Sequence, residues 1–196
     1  MSVKNVNTTA DYIPWDSAMN LVHRLYKDGD YPMSLLIGCG CFFGLRISDL
    51  LSLTWKQILS DDGTFTINEK KTGKRRTIKV NQDFKKHIED CHKALGITDD
   101  SQPCFISRKG CVFTTQRINV KLKFIKARYG LKIGNISTHT LRKTFGRKVF
   151  ESAGEQAEVA LVRLMELFNH SSVAITKRYL GLRQQELMET YDLLSF

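Results

Sequence analysis

The stretch Ser137-Thr-His-Thr-Leu-Arg-Lys-Thr-Phe-Gly146 holds a histidine and an arginine, His139 and Arg142, three positions apart. On a helix, residues at i and i+3 leave from one face, so both side chains can converge on a single ligand group. The natural group is a phosphate, because a guanidinium offers a charged fork of donors and an imidazole can handle a proton near neutral pH. A second concentration of chemistry lies at Lys70, Lys71, Lys74, Arg75 and Arg76, on and beside one short turn that can reach into a groove. A third is the segment Thr114 to Tyr129, with Arg117, Lys121, Lys123, Lys126 and Arg128. Taken singly, each is a common surface feature; together they favour a polyanionic partner.

The elements that must position these groups are legible from periodicity. Asp11 to Gly29 carries Ala18, Leu21, Val22, Leu25 and Tyr26 at helical spacing, with Pro14 near its start and Gly29 past its end. Tyr31 to Phe43 is almost wholly apolar yet too short to cross a bilayer, and reads as a buried central helix stopped at Gly44. A third helix from Ile47 to Trp55 leaves Arg46 on its first turn, beside the Gly44 break. From Gln57 the period drops to two. Gln57-Ile-Leu, Thr64-Phe-Thr-Ile-Asn-Glu and Arg76-Thr-Ile-Lys-Val predict three antiparallel strands, with Asp61-Asp-Gly63 and Lys71-Thr-Gly73 as turns. Helices are predicted again over Asp83 to Leu95, Thr114 to Tyr129, Thr138 to Ala153, Glu155 to Phe168 and Val173 to about Leu182. The expected fold class is mainly α with a small three-stranded antiparallel sheet, in a single domain over residues 1–196.

Composition agrees with a DNA-directed reading. The 196 residues include 30 Lys+Arg against 20 Asp+Glu, a formal charge of +10, which attracts nucleic acid through long-range steering and counterion release. The five cysteines, Cys39, Cys41, Cys91, Cys104 and Cys111, show neither a C-x-x-C pair nor a disulfide or zinc spacing. They read as reduced thiols of a cytoplasmic protein. No apolar run is long enough for a membrane span, and the N-terminus has no signal core.

In chain order, Gly44-Leu-Arg46-Ile-Ser-Asp-Leu, Lys71-Thr-Gly-Lys-Arg-Arg, His139-Thr-Leu-Arg142, Asn169-His170-Ser-Ser and Tyr179 resemble the catalytic signature of the tyrosine recombinases, the phage-integrase family. The resemblance covers roughly residues 10 to 196 and implies that family's catalytic-domain fold. It implies a catalytic set of Arg46, Lys71, His139, Arg142, His170 and Tyr179, with Tyr179 as nucleophile and neither metal nor cofactor. The chemistry is coherent. Two guanidiniums neutralise charge building on the non-bridging oxygens, and a phenol with an ordinary pKa near ~10 needs help losing its proton, from His139 or from the phosphate itself. Lys71 donates a proton to the departing 5′ oxygen, and His170 hydrogen-bonds a non-bridging oxygen. The implied intermediate is a 3′-phosphotyrosyl enzyme that conserves the bond energy for rejoining without ATP.

Rivals and departures qualify this picture. Lys70 and Lys74 compete with Lys71, Lys74 being better suited to a backbone phosphate. Tyr191 reads as packing, and His23, His87 and His92 as surface or interhelix residues. Lys74, Arg75, Arg76, Arg117, Lys121 and Lys143 are expected to contact DNA. Gly154 to Phe168 is a few residues longer than usual, and Phe168-Asn169 replaces the commoner Leu-Gly. The family's N-terminal core-binding domain is expected to be absent, the chain being either a catalytic fragment or a compact single-domain member resembling the fimbrial-type DNA invertases. The tail, residues 183–196, carries Leu187, Tyr191 and Leu194 for docking on a neighbouring protomer or on its own domain. Expected partners are double-stranded DNA, further copies forming a homotetramer on it from a monomer or weak oligomer, and accessory DNA-bending proteins. Type IB topoisomerase-like relaxation and a non-catalytic DNA-binding regulator are the alternatives to a site-specific recombinase.

Overall fold

The computed structural model describes residues 9–107 and 109–182, with Met188 and Tyr191. The tail expectation therefore lies outside the described residues, apart from those two exposed side chains.

The fold is built around one apolar helix. Helix α1 (Trp15–Lys27) buries Ala18, Leu21, Val22 and Leu25 on one face, and α2 (Tyr31–Phe43) is buried along nearly its whole length. Asp30 caps α2 by accepting from the Met33 N–H, and Gly44 ends it in the left-handed region at φ 58°. A Cβ at Gly44 would stand 2.4 Å from Cδ1 of Phe145, so only glycine allows both the turn and that packing. The chain thereby swings directly into Arg46.

The next segment departs from expectation. The single helix predicted over Ile47 to Trp55 is two, α3 (Ile47–Leu50) and α4 (Trp55–Ile58). Between them the Leu53 carbonyl accepts from the Cys104 N–H, and Thr54 forms a bridge with Pro103. Thr54 and Gln57 then make a capping box, the Gln57 side chain accepting from the Thr54 N–H at 3.0 Å. That local helix start overrides the short alternation at Gln57-Ile-Leu, so the sheet has two strands rather than three. Strands β1 (Thr64–Asn68) and β2 (Arg75–Lys79) pair antiparallel, from Thr64 opposite Lys79 to Asn68 opposite Arg75. Phe65, Ile67 and Ile78 face the core.

Helices α5 (Gln82–Ala94), α6 (Thr115–Tyr129) and α7 (Thr138–Glu151) follow, each with a capping side chain, from Asn81, Thr114 and Ser137. After a 3-10 turn at Gly154–Gln156 come α8 (Ala157–Phe168) and α9 (Val173–Leu180), the latter capped by Ser172. Helix α2 packs against α1, α5 and α7 in a large apolar core. A second, smaller cluster joins Leu161, Leu164 and Phe168 of α8 to Leu180 and Leu182, with Phe145 and Val149 of α7 against it. Helix α7 thus belongs to both. Cys39, Cys41, Cys91 and Cys104 are buried and free, and burial pushes their pKa values up, so they pack as neutral thiols. Among the described residues, no helix is long and apolar enough to cross a membrane.

Candidate active site

The first turn of α7 is fixed by its cap. The Ser137 Oγ accepts from the His139 N–H at 3.2 Å, Thr140 Oγ1 accepts from the Ser137 N–H, and Asn119 of α6 accepts from the Thr138 N–H. From this turn Arg142 runs inward, 5% exposed, donating through Nη1 to the Gly44 carbonyl at 2.8 Å and through Nη2 to the Phe168 carbonyl at 3.2 Å. Its guanidinium lies over the Phe168 ring, 4.3 Å from the centroid. Arg46, the N-cap of α3, reaches the same place: Nη1 donates to Glu69 Oε2 at 2.6 Å and Nη2 to the Phe168 carbonyl at 3.1 Å. Two guanidiniums therefore meet on one backbone oxygen at the C-terminal end of α8, where unpaired carbonyls and the negative end of the helix dipole offset their repulsion. Burial and the nearby guanidiniums pull Arg142 down to about 10, against the opposing pull of Tyr179, which leaves it charged at neutral pH.

Across the cleft stand the groups of α8 and α9. His170 shares a 3.0 Å hydrogen bond with Thr176 through Nδ1. Its ring meets those of Phe168 and Tyr179 edge-on, with centroids 5.5 and 5.2 Å away. Among the described residues, the Tyr179 hydroxyl is buried without a hydrogen-bond partner. Burial pushes its pKa to about 12 although Arg142 and Arg46 pull it down, so the phenol holds its proton at rest. His139 and His170 are both lowered from the ordinary histidine value, chiefly by desolvation and then by neighbouring cations, among them Arg142 for both. Both are neutral at pH 7, and a neutral imidazole can accept a proton.

Arg46, Lys71, His139, Arg142, His170 and Tyr179 all line one cleft of about 370 Å³. Of the competing lysines, Lys71 is exposed at that cleft. Lys70 gives its N–H to Asp49 Oδ1, and Lys74 Nζ donates to Asn169 Oδ1 at 2.6 Å. Of the residues expected to contact DNA, Arg75 and Arg117 are exposed and Lys121 lies 5.7 Å from the Phe113 ring centroid. Arg76 and Lys143 are turned inward. Arg76 donates to the Phe43 and Leu167 carbonyls, tying β2 to α2 and α8. Lys143 is buried with Nζ 5.2 Å from the Tyr179 ring centroid. Glu69, missing from the expected set, joins Arg46 and Arg76. One signal pointed to it: the alternation Phe65, Ile67, Glu69 puts a carboxylate on the inward face of a strand. Among the described residues no cluster of three or more His, Cys, Asp or Glu is placed to hold a metal.

This constellation on this helical scaffold defines a class, and the chain belongs to the phage integrase family, whose model matches residues 17–186. It is 28% identical over 149 residues to the tyrosine recombinase XerC of Xanthomonas axonopodis pv. citri, a match that takes in 76% of this chain and 46% of that protein. It is 31% identical to the probable integrase/recombinase YoeC of Bacillus subtilis, over 75% of this chain and 76% of the relative. The chain spans about half the length of the Xanthomonas relatives it matches. Its fold is shared by the XerH site-specific recombinase, solved in a post-cleavage complex with a difH substrate, at a TM-score of 0.68 and 20% identity, covering 98% of this chain and 58% of that one.

Proposed function

We propose that the chain is the strand-cleaving part of a site-specific DNA recombinase acting through a 3′-phosphotyrosyl intermediate. The observation that carries this reading is the convergence of two arginines, a lysine, two histidines and an unpartnered tyrosine hydroxyl on one cleft. With the scissile phosphate in the cleft, the Tyr179 oxygen attacks phosphorus while neutral His139 takes the phenolic proton. Arg46 and Arg142 hold the non-bridging oxygens with charge-assisted donors. His170, oriented by Thr176, adds a further donor. The phosphorus–O5′ bond breaks as Lys71 delivers a proton to the leaving oxygen, so a 5′ hydroxyl departs. The reverse attack by another 5′ hydroxyl rejoins the strand and returns the proton to Lys71. Double-stranded DNA as substrate is supported by the exposed basic residues of α6 and the hairpin beside the cleft, and by the DNA complexes of structural relatives.

The test is covalent capture. Nicked duplexes carrying a randomised segment are incubated with the chain, denatured, and protein-bound DNA is recovered and sequenced. Wild type should yield adducts enriched for one site, and Tyr179→Phe should reduce them to background. Adducts that persist in the Phe variant would falsify the nucleophile assignment, and none from wild type sinks the reading.

A further inference from the structure

We propose that Glu69 is a positioning residue that uses Arg46 as an anchor to hold the Lys71 turn against the cleft. The proposal rests on the strand-cleavage reading above. Glu69 follows directly on β1, on the inward face of the alternation, and its side chain is 5% exposed. Its Oε2 accepts from Arg46 Nη1 at 2.6 Å and from Thr72 Oγ1 at 2.9 Å, and its Oε1 lies 3.6 Å from Arg76 Nη1. Burial alone raises such a carboxyl, but the Thr72 and Arg46 hydrogen bonds and the two guanidinium charges outweigh it and hold Glu69 below its ordinary value. It is an anion at neutral pH.

The backbone of the same residue closes the same turn. The Glu69 N–H donates to the Lys74 carbonyl at 2.9 Å, and the Gly73 N–H donates to the Glu69 carbonyl at 2.8 Å. Lys71 is therefore bracketed by the strand of Glu69, with the Lys70 N–H held on Asp49 Oδ1, on one side and by the Thr72 hydroxyl on the Glu69 carboxylate on the other. Arg46 does not depend on Glu69 in the same degree, because its second fork is held by the Phe168 carbonyl. Loss of the carboxylate should free the turn more than it displaces the guanidinium. The defect should then lie in proton delivery to the leaving group.

That location can be read chemically. A substrate with sulfur in place of the bridging 5′ oxygen expels a thiolate, whose conjugate acid has a pKa of about 8.5, far below that of the primary alcohol it replaces, so it needs no proton from Lys71. Using the duplex recovered by covalent capture, Glu69→Gln should slow adduct formation about 10- to 100-fold on the oxygen substrate. On the sulfur substrate it should come within about threefold of wild type, as should Lys71→Ala, and the Glu69→Gln/Lys71→Ala double variant should be no slower than Lys71→Ala alone. A deficit that survives unchanged on sulfur, or none on oxygen, overturns the proposal. Amide hydrogen exchange of residues 70–74 gives an arm independent of DNA: it should quicken in Glu69→Gln while exchange in α2 does not. Unchanged exchange overturns the anchoring role even if wild type forms no adduct, an outcome that by itself counts only against the recombinase reading.

Discussion

The two apolar clusters hold the site by different means. The large core around α2 fixes Arg46, His139 and Arg142 through extensive burial on α2, α5 and α7. The small cluster, five buried side chains among the described residues, holds α8, α9 and the His170 segment between them. Across the seam α7 packs Phe145 and Val149 against the small cluster, and the polar contacts are made by cations: Arg46 and Arg142 on the Phe168 carbonyl, Arg76 on the Leu167 carbonyl, Lys74 on Asn169. Burial is strong but non-directional, whereas hydrogen bonds fix angle and distance. Arg46 and Arg142 are thus placed by bulk packing, and the segment that carries Tyr179 is set against them by one face of α7 and a few directional contacts.

The largest effect that separates the two regions is core truncation. Leu36→Ala and Leu164→Ala should each remove about 2–5 kcal/mol of stability. The former should lower the thermal midpoint of the whole chain, while the latter should chiefly raise amide exchange in α8 and α9 and slow adduct formation. Equal exchange profiles would erase the distinction. Next, Arg142→Ala should slow adduct formation about 10²- to 10³-fold, about 3–4 kcal/mol in the transition state. Its affinity for duplex DNA in a mobility-shift titration should stay near wild type. Gly146→Ala acts at the joint itself: the new Cβ would stand 2.5 Å from Leu180 Cδ2 and 3.0 Å from Phe168 Cζ, so about 1–3 kcal/mol should be lost by overpacking, measurable by thermal melts. The smallest effect is with pH. Because His139 and His170 titrate below the ordinary value when folded, the unfolded chain takes up protons first as pH falls. Their contribution is fully present above about 6.5 and is lost as pH drops through the folded values. The thermal midpoint should fall on acidification, and less in His139→Gln; the acid limb of adduct formation should lie below about 6.5.

Much of this architecture was legible because it is local. The apolar run of α2, the stripe of α1 and the Ser137 and Ser172 caps are written within a few residues of where they act, and the order of the charged motifs suggested one site. What escaped was decided across distance. The Gln57 segment is a helix because Thr54 caps it and residues 102–104 pair beside it. Arg76 and Lys143 look like surface cations until α8 and Tyr179 cover them. Glu69 carries no motif of its own, and its role appears only when Arg46 arrives from 23 positions away.

Asn169 shows how a family departure is absorbed. It is the one non-glycine residue with positive φ among those described, at 53°, and asparagine tolerates that conformation where glycine is commoner. The helix still ends at Phe168, and what both guanidiniums recognise there is a main-chain oxygen. No codon change can delete that acceptor. Selection can therefore change the side chains at 168 and 169 without losing that acceptor so long as α8 stops at the same residue, although Phe168 packs under Arg142 and Asn169 holds Lys74, and only replacing the amide by an ester would reveal how much the carbonyl contributes.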